Sequence, residues 1–419
     1  MQRRTRFRYL TVMLAFALVL TACGDDDATD TTASTAPAAT AATTTTAPVN
    51  TEPIKIGMLT SLTATFTPWG IQVRDGMRLA RDEINAAGGV DGRMVELVEI
   101  DDQSNAEAGV SGIERLIEDG VVAVGGTISS DVGLATARVA EELKTPLFLV
   151  MAGSGAILTQ ESRYTFRTCL PSAPMIAGPI AQYAQAEGLS KVGAIIADYA
   201  WGQAIKSALE TEFAAYPGID VQIEVAPISE KDFTTYLRSL DDFGPQMIVA
   251  TGHPPGAGAI TVQSADLGID VPITGAWTPL SLIMGGVADA AVGRYADFGC
   301  ADYFSDSYQE LARRYLASSD NVFMESPAVA GYGLVNIVAD AVSAVGDDPV
   351  AIAEYLHGQK YDLPGYSFQV SWTSWGELAA AQPLFSIISA NTPPEGVNEG
   401  GDWYPEQLIL ADPLEPFVP

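Results

Sequence analysis

IKIGMLTSLTATFTPWGIQVRDGMRLARDEINAAGG, residues 54–89, contains a complete change of structural period. Its start, IKIGMLTS (54–61), is apolar and β-rich and reads as a strand. From Trp69 onward, Val73, Met77, Ala80, Ile84 and Ala87 recur at steps of four and three. Arg74, Arg78, Arg81 and Asp82 mostly take the other face, which is the signature of an amphipathic helix. Gly88 and Gly89 stop it. A buried strand followed by a single helix is half of a parallel βαβ unit.

The unit recurs outward from there. VELVEI (95–100), VVAVGG (121–126) and PLFLV (146–150) are further strands, with SNAEAGVSGIERLIEDG and SDVGLATARVAEELK as helices between them. A second series begins after residue 170, with strands VGAIIAD (192–198), VQIEVAPI (221–228), MIVATG (247–252) and PITGAW (272–277). APMIAGPIAQYAQAEG, WGQAIKSALETEF, DFTTYLRSL and AGAITVQSADLG are its helices. The fold class is therefore α/β, in two similar halves. RYADFGCADYF, helices near 306–317 and 327–346, and YSFQV read as pieces that return to complete both halves. The tail, 391–419, is rich in Pro, Gly and acids and is expected to wrap the surface or stay loose.

The N-terminus reads as an export signal. MQRRTRFRYL carries four arginines, TVMLAFALVL is too short to span a bilayer, and LTAC ends at Cys23. Residues 1–22 are the expected signal peptide. LTAC resembles a bacterial lipobox, which makes Cys23 the expected lipid-bearing residue, against a plain signal with a chance cysteine. Residues 23–51 are almost wholly Asp, Thr, Ala, Ser and Pro and read as a lipid-anchored, disordered linker. The expected location is outside the cytoplasm, held to the cell membrane by that lipid.

The formal net charge of −30, which becomes more negative when the four arginines leave with the signal, excludes nucleic acid and anionic lipid surfaces as partners. Beyond Cys23 only Cys169 and Cys300 remain, either as a disulfide or as two buried thiols.

Catalytic chemistry has little to work with. There are two histidines, no HExxH, CxxC or G-x-S-x-G, no Walker loop and no GxGxxG. DDQSNAEAGVSG (101–112) opens like a calcium loop but lacks Gly at its sixth position and Glu at its twelfth. No enzyme activity, cofactor or metal is expected, and His253 reads as a loop residue beside a cleft rather than a base. GGTISSD (125–131) and VMAGSG (150–155) each join a strand to the next element of the chain. Their hydroxyls and free N–H groups can hold a carboxylate without a basic residue. Ser129, Ser130 and Ser154 can equally be helix caps. Ligands of open parallel sheets gather at the C-terminal ends of strands, and Trp69, Trp201 and Trp277 all come after strands.

The ordered set of RDG…DEINAAGG, DDQSN, GGTISSDVGLA, RYTFRT, ADYAWGQ and AVAGYGLVNIVADAV, over about residues 52–390, resembles the type I periplasmic solute-binding proteins of the branched-chain amino acid and amide family, which serve ABC importers. The resemblance implies two Rossmann-like lobes joined by three hinge crossovers near 166–171, 297–303 and 362–368. One lobe comprises 52–168 plus 301–364, the other 169–300 plus 365–390. Cys169 and Cys300 would both lie near the hinge. Trp69 would cover the ligand side chain, Ser129 would contact its carboxylate, and Ala152 and Ser154 would supply backbone and hydroxyl contacts. Trp201 takes the place of a usual tyrosine and Gly252 that of another. Trp277 falls where amino-acid binders often place the glutamate that pairs with the ligand's ammonium. An indole is a poor substitute for that ion pair. Asp198 or Asp302 could reach in instead. The implied protein is a monomer that captures a small carboxylate-bearing solute by hinge closure and delivers it to an ABC permease. That solute is an amino acid, or an apolar or aromatic acid or amide. A sensor feeding a signalling partner is the alternative.

Overall fold

The computed structural model describes residues 51–419; the expected signal segment, Cys23 and all but the last residue of the linker lie outside the described residues. The first sheet contains β1 (Ile54–Thr60), β2 (Val95–Asp101), β3 (Ala123–Thr127), β4 (Leu147–Leu149) and β5 (Thr165–Arg167). It is all parallel, in the order β2-β1-β3-β4-β5. β3, at its centre, is buried at every residue, as a strand covered on both faces must be.

The second sheet is built from β6 (Lys191–Ala197), β7 (Asp220–Ala226), β8 (Met247–Val249), β9 (Ile273–Ala276) and β10 (Tyr295–Gly299), all parallel. A two-stranded ribbon, β11 (Lys360–Tyr361) with β12 (Val370–Ser371), stands apart. β13 (Leu384–Ser389) and β14 (Tyr404–Leu410) then join the second sheet antiparallel, giving the order β14-β13-β10-β9-β8-β6-β7.

Helices α1 (Thr67–Ala86), α2 (Ala106–Glu118) and α3 (Ser130–Leu143) link the strands of the first sheet. α4 (Ala173–Ala186) leads into the second sheet. α5 (Ala200–Phe213), α6 (Thr234–Phe243), α7 (Ala257–Asp266) and α8 (Leu280–Ala291) link its parallel strands. α9 (Asp306–Ser318), α10 (Ser326–Val345) and α11 (Pro349–Leu356) come after β10. α10 is long and apolar enough to cross a membrane, but it packs along α1 as a core helix. The calcium-like loop is a helix start. Asn105 caps α2 by accepting from the N–H groups of Glu107 and Ala108, and Asp102 accepts from Ser104 N and Ser61 Oγ.

Between β5 and β13 the chain passes between the sheets three times. Cys169 on the first passage and Cys300 on the second are joined by a disulfide. The third passage departs from the expected position at 362–368. Ser367 N does donate to Cys300 O at 2.8 Å, and Ala301 bridges Tyr366. The chain then turns back, and Trp372 packs on Phe148 and Phe166 with its Nε1 donating to Arg167 O at 2.6 Å. The segment 370–378, expected in the second lobe, therefore packs on the first sheet, because Phe148 of β4 and Phe166 of β5 supply the aromatic contacts for Trp372.

The tail is not loose. β14 closes the edge of the second sheet, with Pro405 tolerated there because an edge strand can dispense with an N–H. Beyond it, Leu414 N donates to Ala381 O at 2.8 Å, and Phe417 O accepts from Trp375 Nε1 at 3.2 Å.

Candidate functional site

Between the strand ends of the two sheets lies a small cavity of about 20 Å³, lined by Phe66, Trp69, Ile128, Ser130, Met151, Leu170, Tyr199, Trp201 and Pro254. Every one of these residues lies just after a strand: β1, β3, β4 and β5 of the first sheet, β6 and β8 of the second. The cavity has room for about one water molecule, which needs ~10–15 Å³, whereas sites for small organic ligands run to about 300 Å³ or more. The two sides are in contact across it. Phe66 and Tyr199 ring centroids are 5.8 Å apart, and Ala200 N, at the start of α5, donates to Asp131 Oδ1 at 3.2 Å.

Trp69 and Trp201 line the cavity. Trp69 sits in the first turn of α1 and donates from Nε1 to Trp277 O at 3.0 Å. Trp201 donates from Nε1 to Thr251 O at 2.9 Å, and its ring lies against Gly153. A Cβ at Gly153 would come within 2.3 Å of Trp201 Cζ3, so the loop between β4 and β5 must carry glycine for the sides to meet.

Trp277 is placed differently. It is absent from the cavity wall and 1 % exposed, and its Nε1 points to Cys169 Sγ of the disulfide at 3.0 Å. Its φ of +54° is a left-handed conformation that costs a residue with a Cβ roughly 1–2 kcal/mol. That conformation is held by Trp277 N donating to Phe298 O at 2.8 Å and by the bond from Trp69. The expectation that Trp277 faces the solute is corrected: its indole packs over the disulfide between the two sheets.

Gly252 is also not a wall residue. A Cβ there would meet Ile196 Cδ1 at 2.3 Å, so packing beneath β6 demands the glycine. The neighbouring His253 is buried and uses both ring nitrogens locally: Nδ1 accepts from Gly256 N at 3.1 Å and Nε2 faces Pro227 O at 3.0 Å. Burial holds its pKa below the usual value, so it is a neutral cap.

The serines divide. Ser129 precedes α3 and is buried, but its side chain makes no capping bond. Ser130 is the serine on the cavity wall, and its Oγ accepts from Ser154 N at 3.1 Å. Ala152 and Ser154 do not line the cavity; their carbonyls are both taken by Arg167, whose Nη1 donates to Ala152 O and Nη2 to Ser154 O at 2.8 Å. Arg167 is fully buried and pairs with Glu377 at 3.0 Å. The RYTFRT motif contains this arginine, but the sequence assigns it no role; the only available signal was a cation in an otherwise apolar strand end. Phe66, Tyr199, Ile128, Met151, Leu170 and Pro254 were also missed, as ordinary loop-end residues.

Among the described residues no carboxylate lines the cavity. Asp198 is exposed and accepts from Gln203 Nε2 at 2.8 Å, and Asp302 accepts from Phe304 N at 3.2 Å, so each is engaged within its own turn. Among the described residues no group of three or more His, Cys, Asp or Glu side chains is placed to hold a metal ion.

The same arrangement of sheets and strand-end loops is found in known proteins. The family model described as "Periplasmic binding protein" matches residues 53–384. The Leu/Ile/Val-binding protein BraC3 of Rhizobium johnstonii is 24% identical over 80% of this chain and 96% of its own. A solute-binding protein of an ABC transporter from R. palustris, solved in complex with benzoate, superposes with a TM-score of 0.73 at 19% identity, covering 87% of this chain and 98% of that one. The branched-chain amino acid transporter substrate-binding protein LivJ from Streptococcus pneumoniae, solved with isoleucine, gives a TM-score of 0.72 at 21% identity, covering 85% and 99%.

Proposed function

Because the chain belongs to the periplasmic binding protein family, we propose that it is the extracytoplasmic receptor of an ABC importer, and that its solute is a small carboxylate with an apolar or aromatic body and no amine. One observation carries the solute class: among the described residues four aromatic rings, Phe66, Trp69, Tyr199 and Trp201, line the cavity and no carboxylate does. An ammonium buried there would lack a counter-charge, which is strongly unfavourable, whereas a ring or branched chain is well matched to these walls. The wall carries Ser130 at the start of α3, and a helix start suits an anion. The R. palustris neighbour bound to benzoate supports the same reading.

In this reading the first sheet and its helices form one lobe, the second sheet the other, and they rotate about the three passages. The cavity admits a solute only after the lobes part, and closure around it presents the surface that docks on the permease. Cys23, by its LTAC context, carries the lipid that tethers a monomer to the membrane.

The test is a thermal-shift screen of the full-length protein in detergent. One set holds leucine, isoleucine, valine and phenylalanine; the other holds their deaminated counterparts, with benzoate and phenylacetate. A ligand at about 100 times its Kd adds ~2.7 kcal/mol. The expected result is a shift with the deaminated acids alone. A shift with the amino acids alone overturns the solute class.

A further inference from the structure

Glu325 is the residue immediately before α10 and is 1 % exposed. It belongs structurally to the first-sheet side. Its own N–H points to Gln72 Oε1 of α1 at 3.3 Å, and the same Gln72 side chain holds Phe323 O at 3.1 Å and Tyr315 OH at 2.9 Å. Its carboxylate reaches the other way. Oε1 accepts from Ser281 N at 3.0 Å, in the first turn of α8, which belongs to the second sheet. Oε2 is buried with no hydrogen-bond partner among the described residues. The titratable groups that feel its charge are acids and phenols: Asp297 and Tyr295 from β10, Tyr303 after β10, and Tyr308 and Tyr315 from α9. No basic side chain forms an ion pair with it among the described residues.

We propose that the Glu325–Ser281 contact is a proton-operated latch between the two lobes: closing buries Glu325 and takes up a proton on it, and loss of that proton loosens closure. The proposal rests on the reading that the two sheets part and close. In an opened molecule Glu325 is an ordinary solvated carboxyl. In the closed one, burial pushes it up to about 7, only partly offset by the N–H groups of Ser281 and Leu280 and by the Ser281 side chain. Asp297, itself pushed well up by burial and by Glu325, is an acid and offers no positive charge to hold the ionised form. The sign follows from the raised value. Closure is fully favoured below the solvated value of 4.5 and is lost as pH rises through about 7, with no further change above it. The closed-to-open ratio falls about tenfold per pH unit inside that window.

Hydrogen exchange of the Ser281 amide region in the full-length protein, with no solute, tests this directly. After correction for intrinsic exchange, protection of the wild type is expected to fall about tenfold per unit between pH 5 and 7 and then level off. Glu325→Gln, a neutral isostere, stays protected across the range. Ser281→Pro, which removes the N–H that favours the ionised form but suits a helix start, moves the loss of protection at the flanking amides to higher pH. The latch is overturned if wild-type protection is flat with pH, or if Glu325→Gln shows the same fall. The two readings fail separately: a blank solute screen with the pH effect intact removes only the solute class. Flat protection alongside a benzoate shift removes only the latch.

Discussion

Arg167 shows what one residue does for the site. Its guanidinium is fully buried, pairs with Glu377 and holds two carbonyls of the loop that carries Gly153 up to Trp201. Arg167→Met leaves the Glu377 carboxylate buried without its counter-charge, and such losses cost about 3–5 kcal/mol. Denaturant unfolding is expected to show that loss. Arg167→Met combined with Glu377→Leu should recover most of the stability, because an apolar pair replaces a buried ion pair at little cost. Solute binding should stay weak in the double variant, since the loop still lacks its two carbonyl anchors. Wild-type binding there would mean that the loop holds its shape without Arg167. At this scale the sequence is least legible. Trp69 and Trp201 could be placed on the cavity wall because the ends of parallel strands converge on a ligand. Trp277 shares that position in its own unit, and only its left-handed backbone turns the indole to the disulfide. Nor could periodicity distinguish Ser129 from Ser130, or indicate that Arg167 reaches carbonyls thirteen and fifteen residues back.

At the scale of elements, β1 to β4 and β6 to β9 were legible from their apolar runs, and so were the helices read between them. β5, α8, α11, β11, β13 and β14 were missed. α8 is apolar nearly all round and bends at Val287, so it presents no amphipathic stripe. β14 reads YPEQLIL and lies at a sheet edge, where proline and charge are permitted and the alternation that marks a strand is diluted. The eight residues beyond Ala411 form a strap: Leu414 bonds to Ala381, Phe417 packs at Gly155 and bonds to Trp375, and Pro419 O accepts from Gln160 Nε2 at 2.9 Å. This strap runs from the second sheet to loops of the first. Deleting residues 412–419 leaves β14 in place and exposes the apolar contacts of Leu414 and Phe417, with an expected loss of about 2–3 kcal/mol. Urea unfolding measures it, and an unchanged midpoint would show that the strap contributes no net stability. Proteolysis in the loop 155–163 is expected to quicken in the same variant, because its outer contacts have gone.

At the scale of the whole molecule, the two parallel sheets could be read from alternation alone, but the manner of their coupling could not. The two cysteines were compatible with a bridge or with free thiols until the passages brought them together. Two distinct couplings now act in parallel. One is covalent, the disulfide, whose ends are 131 positions apart in the sequence. The other is a continuous buried cluster that runs from Ile54 and Met58 of the first sheet through Trp69, Trp201 and Trp277 to Ile248 and Phe298 of the second. Replacing both cysteines by alanine removes the chain-entropy benefit of a long closed loop, about 4–5 kcal/mol. The apolar cluster stays, because alanine preserves its contacts except at the sulfur beside Trp277. Calorimetry of the double variant is therefore expected to show a lower midpoint but still one cooperative transition, with the two sheets melting together. A split into two transitions would mean that the disulfide, and not the aromatic seam across the cleft, makes the two halves unfold as one.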